Sequence, residues 1–312
     1  VSIIELGLRG FADDVVWRTM LIVWAFVLAC SIVGYVHPTL RAPSGKSVRQ
    51  AITTWWPVTI TAAAGCLCGR AASVVVLSAV GVLIGREALL LLTPAGPPRR
   101  LHMGIVVAAA VGGTIAALTS TSILVVAVVV CLSVPVLQLR HHGHAGFART
   151  VPAVVWAALL AGVLWSFVAQ IVVDDTHTGV HGGRGAITVF FILVMMADAM
   201  QYVAGKLFGR TPLAPQTSPN KTVEGLLGGL AIVALLGAVL VPHLLERSAI
   251  EGVVVGAAIV VCGLAGDLVM SAFKRDVGIK DSSALLPGQG GALDRCDSIV
   301  VCAPLFWWWL QL

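Results

Sequence analysis

The sequence predicts an all-α, polytopic membrane protein of about ten transmembrane helices, with its polar chemistry gathered in loops on one side. Three observations lead there. Of 312 residues, 58% are hydrophobic and only 11% are charged. With a mean hydropathy of +0.96, most of the outer surface has to face lipid rather than water. Second, apolar stretches long enough to cross a hydrocarbon core of about 30 Å fall near residues 17–36, 51–69, 71–93, 103–119, 122–138, 151–173, 186–204, 226–245, 249–271 and 297–312. Third, the bases alternate between loops. Odd-numbered loops carry Arg41, Lys46, Arg49, Arg99, Arg100, Arg140, Arg149, Lys206, Arg210, Lys221, Lys274, Arg275, Lys280 and Arg295, whereas even-numbered loops carry only Arg70, Arg184 and Arg247. Positive charge is retained on the cytoplasmic face, so the odd loops are expected inside. A net charge of +5 spread over such loops is an orientation signal, and no basic patch interleaved with aromatics points to nucleic acid.

Taken in order, residues 1–17 mix Ile3, Ile4, Leu6, Leu8 and Phe11 with Glu5, Arg9, Asp13 and Asp14, the pattern of an interfacial helix. The first apolar stretch is long enough to span and lacks a small-residue cleavage site, so no cleavable signal peptide is expected. Trp17, Trp55, Trp56 and Trp307 to Trp309 fall near span ends, as interfacial aromatics do. Gly81, Gly85, Gly112 and Gly113 provide small surfaces for close helix packing. Arg86 and Glu87 lie about two turns inside the third span, where charge is costly. They are expected to pair, or Arg86 to snorkel, with a role at a lipid phosphate as the alternative. His141, His142 and His144 read as solvated loop residues. The seven cysteines (30, 66, 68, 131, 262, 296 and 302) mostly sit in apolar segments and are expected to be buried small hydrophobes; Cys66 and Cys68 lack the further ligands of a zinc site. The chain divides into residues 1–180, about six spans without a distinctive motif, and 181–312, which carries the chemistry.

The polar island runs from Asp267 to Asp297 and holds Asp267, Asp276, Asp281, Asp294 and Asp297 with Lys274, Arg275, Lys280 and Arg295. Acids and bases alternate around two glycine turns, Pro287-Gly288 and Gly290-Gly291, which suits metal binding through carboxylates and phosphate binding through cations and backbone amides. Helical spacing puts Asp267, Ser271 and Lys274 on one face. Asp198 sits at a comparable depth on the seventh span. Two half-buried carboxylates on neighbouring helices repel unless a cation lies between them, and oxygen-only ligands select a hard ion such as magnesium.

Ser271, Lys274-Arg275, Lys280-Asp281, Pro287-Gly288-Gln289-Gly290-Gly291 and Asp294-Arg295-Cys296-Asp297 together resemble the motif of the CDP-diacylglycerol synthetases (phosphatidate cytidylyltransferases), with Gln289 where the family has histidine. Residues 198–210 and 213–225, including Gly205, Gly209, Ser218-Pro219, Lys221-Thr222 and Glu224-Gly225, resemble the family's other shared segment, with Val223 in place of an aromatic. The resemblance covers roughly residues 190–312. It implies magnesium-dependent transfer of CMP from CTP to phosphatidate or a related phospholipid acid, giving CDP-diacylglycerol and pyrophosphate, in a bacterial-type inner membrane with the site facing the cytoplasm.

Carried onto this sequence, the resemblance implies catalytic roles for Lys280, Asp281, Asp294 and Arg295. It assigns Asp267, Asp281 and Asp294 to metal, with Asp198 and Asp297 as further ligands and a second cation left open. Lys221, Ser271, Lys274, Arg275, Gly288, Gln289, Gly290 and Gly291 fall to substrate phosphates. Glutamine hydrogen-bonds like histidine but carries no proton; the attacking phosphate monoester is already anionic and needs no base. Ser218 is expected to cap the helix entering the eighth span. Two other readings compete: a CTP-dependent polyprenol or phytol kinase, and a non-catalytic lipid-binding protein or transporter. The intact Lys-Asp and Asp-Arg-x-Asp spacing disfavours the first, and polar residues confined to one side disfavour the second. A homodimer is compatible with the small-residue helix faces.

Overall fold

A computed structural model of the chain describes residues 70–93, 100–119, 121–179, 181–283, 285 and 290–312, together with isolated helical positions between Arg18 and Ile32. Nine α-helices account for most of the described residues: α1 (Arg70–Leu92), α2 (Arg100–Leu118), α3 (Ile123–His142), α4 (Phe147–Leu159), α5 (Ser166–Val173), α6 (Gly182–Phe208), α7 (Val223–Leu245), α8 (Ala249–Asp276) and α9 (Leu293–Leu310). They are apolar nearly all round, because one side faces the protein core and the other faces lipid. Seven spans among the described residues are long and apolar enough to cross a membrane, with α4 and α5 acting as one unit from Phe147 to Val173. The protein is an integral membrane protein. The expected span at 51–69, the interfacial helix at 1–17, Trp17, Trp55, Trp56 and Cys30, Cys66 and Cys68 lie outside the described residues, as does most of the expected span at 17–36, whose few described positions are helical. The expected tenth span is seen as α9, which is not among those seven and carries Asp294, Arg295 and Asp297 near its start.

The π-helical turn Leu160–Leu164 joins α4 to α5. A Cβ on Gly113 would collide with the Gly162 carbonyl oxygen of that turn, and one on Gly81 would come within 2.9 Å of the Trp165 ring. Close approach of helix backbones is therefore what these glycines serve, although Gly112 faces open space. Trp165 Nε1 donates to the Leu77 carbonyl at 2.7 Å, which satisfies its buried N–H. Three expectations change here. Cys131 is exposed on α3. His142 tucks its ring against His102, with centroids 5.5 Å apart, rather than being solvated. Trp309 is buried, and Arg247 lies 4.9 Å over its ring.

Consecutive helices α6 to α9 pack as antiparallel neighbours. The α6–α7 crossing is tight where Gly205 meets Gly225: a Cβ on Gly225 would sit 2.7 Å from the Gln201 carbonyl and 3.1 Å from the Gly205 Cα. Between these helices a short antiparallel hairpin, β1 (Pro212–Ala214) and β2 (Ser218–Thr222), replaces the expected capped helix entry. Ser218 is a strand residue, and the cap of α7 is Thr222, whose hydroxyl accepts from Gly225 N at 3.1 Å. Its extended backbone, φ −123° and ψ 155°, is the conformation an N-cap requires. Glu224 secures the hairpin from below by accepting from the backbone N–H groups of Arg210 (3.0 Å) and Thr211 (3.1 Å). Thr222→Ala is expected to lower stability by about 1 kcal/mol, read as a reduced midpoint of thermal unfolding in detergent.

Candidate active site

Both motif segments converge at one end of the α6–α9 bundle. Asp198 on α6 lies within electrostatic range of Lys221 on β2, Asp267 on α8 and Arg295 on α9, and Asp297 on α9 within range of Asp198 and Asp267. Lys221 Nζ stands 2.6 Å from Asp267 Oδ2, and Ser271 Oγ donates to Asp267 Oδ1 at 3.3 Å. This pair is partly open, with the two side chains 21% and 26% exposed. Asp198 is exposed as well, whereas Asp297 is buried and accepts from Ser298 N at 2.9 Å. The Ser298 hydroxyl lies 3.4 Å from Asp198 Oδ1, linking the start of α9 to α6. Three carboxylates from three helices thus share one electrostatic neighbourhood with Lys221 and Arg295.

A second group lies beside it and is closed rather than open. Asp294, in the first turn of α9, accepts from Lys274 Nζ (2.7 Å), Ser282 N (2.7 Å), Ser282 Oγ (2.9 Å) and Gly291 N (2.9 Å). Burial alone would raise its pKa, but the N–H of Gly291, the Lys274 ammonium and the N–H of Ser282 together hold the carboxyl below the usual aspartate range. A carboxylate engaged by four donors acts as a clasp on the loop. Gly290 has φ +84°, in the left-handed region, and a Cβ there would strike the Asp294 carboxylate. At Gly291 a Cβ would strike the Glu87 carboxylate and the Ser282 hydroxyl. Both glycines are required by protein carboxylates that occupy the space where side chains would go.

Glu87 is the residue that sequence reasoning placed differently. It is 1% exposed and does not pair with Arg86, which is exposed on α1. Adjacent helix positions point in different directions, so the two charges cannot share a face. Instead Glu87 accepts from Ser283 Oγ (2.7 Å), Ser282 Oγ (3.0 Å) and Leu293 N (2.8 Å). A charge two turns deep in an apolar span was the signal that a partner had to exist; its identity was not legible. Of the other expected site residues, Lys280 and Asp281 are exposed. Arg275 is exposed and donates to the Ile279 carbonyl at 3.2 Å. Lys274 is buried against Asp294. Gly288 and Gln289 lie outside the described residues.

No group of three or more His, Cys, Asp or Glu side chains among the described residues stands close enough to form a ready metal cage. The oxygen donors of this cluster are carboxylates, and a hard ion held by one or two carboxylates with substrate phosphates and water needs no such cage.

Comparison with known proteins adds a family. Residues 49–312 match the model of the cytidylyltransferase family, so the match extends well upstream of the two motif segments. The chain is 42% identical over 178 residues to phosphatidate cytidylyltransferase of Haemophilus influenzae, covering 55% of this chain and 56% of that protein. It is 47% identical over 125 residues to phosphatidate cytidylyltransferase of Pseudomonas aeruginosa, covering 39% and 46%. It is also 39% identical over 168 residues to the uncharacterized protein YnbB of Escherichia coli, covering 53% and 55%. The matches thus span about half the length of these relatives.

Proposed function

The chain belongs to the cytidylyltransferase family, and from that premise we propose that it transfers CMP from CTP to phosphatidate or a close phospholipid acid, forming CDP-diacylglycerol and pyrophosphate. The observation that carries this reading is the convergence of Asp198, Lys221, Asp267, Arg295 and Asp297 from both motif segments around the partly exposed Lys221–Asp267 pair. In the reaction a phosphate oxygen of the lipid attacks the α-phosphorus of CTP. The bond from that phosphorus to the oxygen bridging to the β-phosphate breaks, and pyrophosphate leaves with the electron pair. The nucleophile is already anionic, so the protein's task is to neutralise charge and align two phosphates.

Lys221 and Arg295 supply positive charge for the triphosphate, with the exposed Lys280 as a further cation. Asp198, Asp267 and Asp297 are the residues that would hold magnesium, with Asp281 as a further candidate. When bound, the ion neutralises the triphosphate and helps to orient it. Asp294 and Lys274 serve by fixing the loop between α8 and α9. The lysine bound to Asp267 exchanges that partner for phosphate when nucleotide enters, while Ser271 keeps the carboxylate oriented. Antiparallel passage of successive spans puts the 209–222 hairpin and the 277–292 loop on the same side as the base-rich loops, which supports a cytoplasm-facing site in a bacterial inner membrane.

The test is turnover by purified full chain in detergent with CTP and phosphatidate, with and without magnesium, resolving pyrophosphate from CDP. Magnesium-dependent pyrophosphate release with a lipid-linked CMP product is expected. Release of CDP would instead establish a kinase, and no turnover with phosphatidate would overturn the proposed acceptor.

A further inference from the structure

We propose that Glu87 is a positioning residue for the transfer reaction: its buried carboxylate ties the two feet of the motif loop together and caps α9, so that the N-terminal helices set the geometry of the C-terminal site. The role in transfer rests on the function proposed above; the clasp itself does not. Glu87 lies on α1, five residues before that helix ends, and its partners are 195 to 206 positions away in sequence. Two of them, Ser282 and Ser283, directly follow Lys280-Asp281. The third, the N–H of Leu293, opens α9 one residue before Asp294-Arg295.

The local chemistry explains why a carboxylate stands there. The N-cap position of α9 is Ala292, which offers no side-chain oxygen, and α9 has no side-chain cap of its own. The first N–H groups of a helix need acceptors from elsewhere, and a negative charge there also interacts favourably with the helix dipole. Glu87 fills that need from another helix. Its other oxygen holds Ser283, so the two ends of the loop cannot separate without stranding a buried carboxylate, which is costly. The Ser282 hydroxyl lies 3.0 Å from Glu87 and 2.9 Å from Asp294, so its one proton serves both carboxylates and couples the two clasps. Gly291 leaves the space that the Glu87 carboxylate occupies. Glu87 is 1% exposed, so its action on the reaction is indirect: it fixes where Lys280, Asp281 and Arg295 stand.

The experiment compares native full chain, Glu87→Gln and Ser283→Ala in detergent, by hydrogen exchange of the 281–293 segment and by CMP-transfer kinetics. Glutamine turns an NH2 group toward donors and loses part of the clasp. Glu87→Gln is expected to accelerate exchange at Gly291 and Leu293 while α6 to α8 stay protected. With reacting groups displaced by about 1 Å, kcat should fall by about 100-fold, and KM for CTP should rise as well, because Lys280 and Arg295 shift away from the triphosphate. Ser283→Ala, which keeps two of the three bonds, should fall between. Unchanged exchange and kcat in both variants would overturn the proposal, as would a loss in Ser283→Ala that merely tracks unfolding of the whole helical bundle. Faster loop exchange in Glu87→Gln beside a native chain inactive on phosphatidate would overturn the proposed reaction and leave the clasp standing.

Discussion

Asp267→Asn is expected to reduce CMP transfer by roughly 100- to 1,000-fold, the loss typical when one preorganised electrostatic group is removed from a reacting centre. The substitution is nearly isosteric, so the fold should persist, yet it removes the charge that pairs with Lys221 at 2.6 Å and that Ser271 orients at 3.3 Å. Two consequences follow from the same change. The cluster on α6, α8 and α9 loses one of its three carboxylates, and the proposed hold on a hard cation weakens. The Lys221 ammonium loses its resting partner and is no longer held at the mouth of the site. The check is turnover over a magnesium series: a higher magnesium requirement together with a reduced rate supports the assignment, while native kinetics would remove Asp267 from the site. Because the pair is partly open, the effect on stability should be small, under about 1 kcal/mol.

Lys274→Met is expected to give the largest loss of stability. The Lys274 and Asp294 side chains are 11% and 5% exposed and meet at 2.7 Å. Removing one partner of a buried pair leaves the other charge uncompensated, at a cost of about 3 to 5 kcal/mol. The value should fall at the low end, since Asp294 keeps its bonds from Ser282 and Gly291. Methionine approximates the volume of the lysine stem, so lost packing adds little.

The pH dependence has a definite sign. The folded-state pKa of Asp294 is depressed, so its contribution is fully present above the unfolded value, about 3.9, and is lost as pH falls through the folded one. In Lys274→Met the depression shrinks, and the acid-induced loss of stability below about pH 4 should become shallower. Thermal unfolding of both proteins across pH 3 to 7 measures this (range set about the aspartate value). Parallel curves displaced by a constant would show that Asp294 gains nothing from Lys274.

Much of the site was legible because its residues are local. The spacing from Asp267 to Lys274 and from Asp294 to Asp297 follows helical periodicity, and both runs lie on helices, α8 and α9. Asp198 and Asp267 stand ten and nine residues before the ends of α6 and α8, which gives the comparable depth that their repulsion argument required. Less was legible where one residue type supports two local structures. Ser218-Pro219 reads equally well as a helix entry or as a strand, and pairing with Pro212–Ala214 decides for the strand. The glycines of the motif were expected to admit phosphate, whereas at Gly290 and Gly291 protein carboxylates fill that space.

The sequence by itself determined that this chain lies in a membrane, which loops carry its charge, and which two segments gather the candidate site's charged residues. Composition, apolar run length and short-range spacing encode these properties, and none needs knowledge of distant contacts. Tertiary structure alone decided which carboxylates stay open and which are spent on holding the loop. Asp267 and Asp294 are the same residue type in the same island, yet one faces a partly open space and the other receives four donors. Only the packing of α1 against that loop brings Glu87 to the start of α9, across 206 positions of sequence. A buried charge announces in the sequence that it needs partners, but the fold determines which donors reach it.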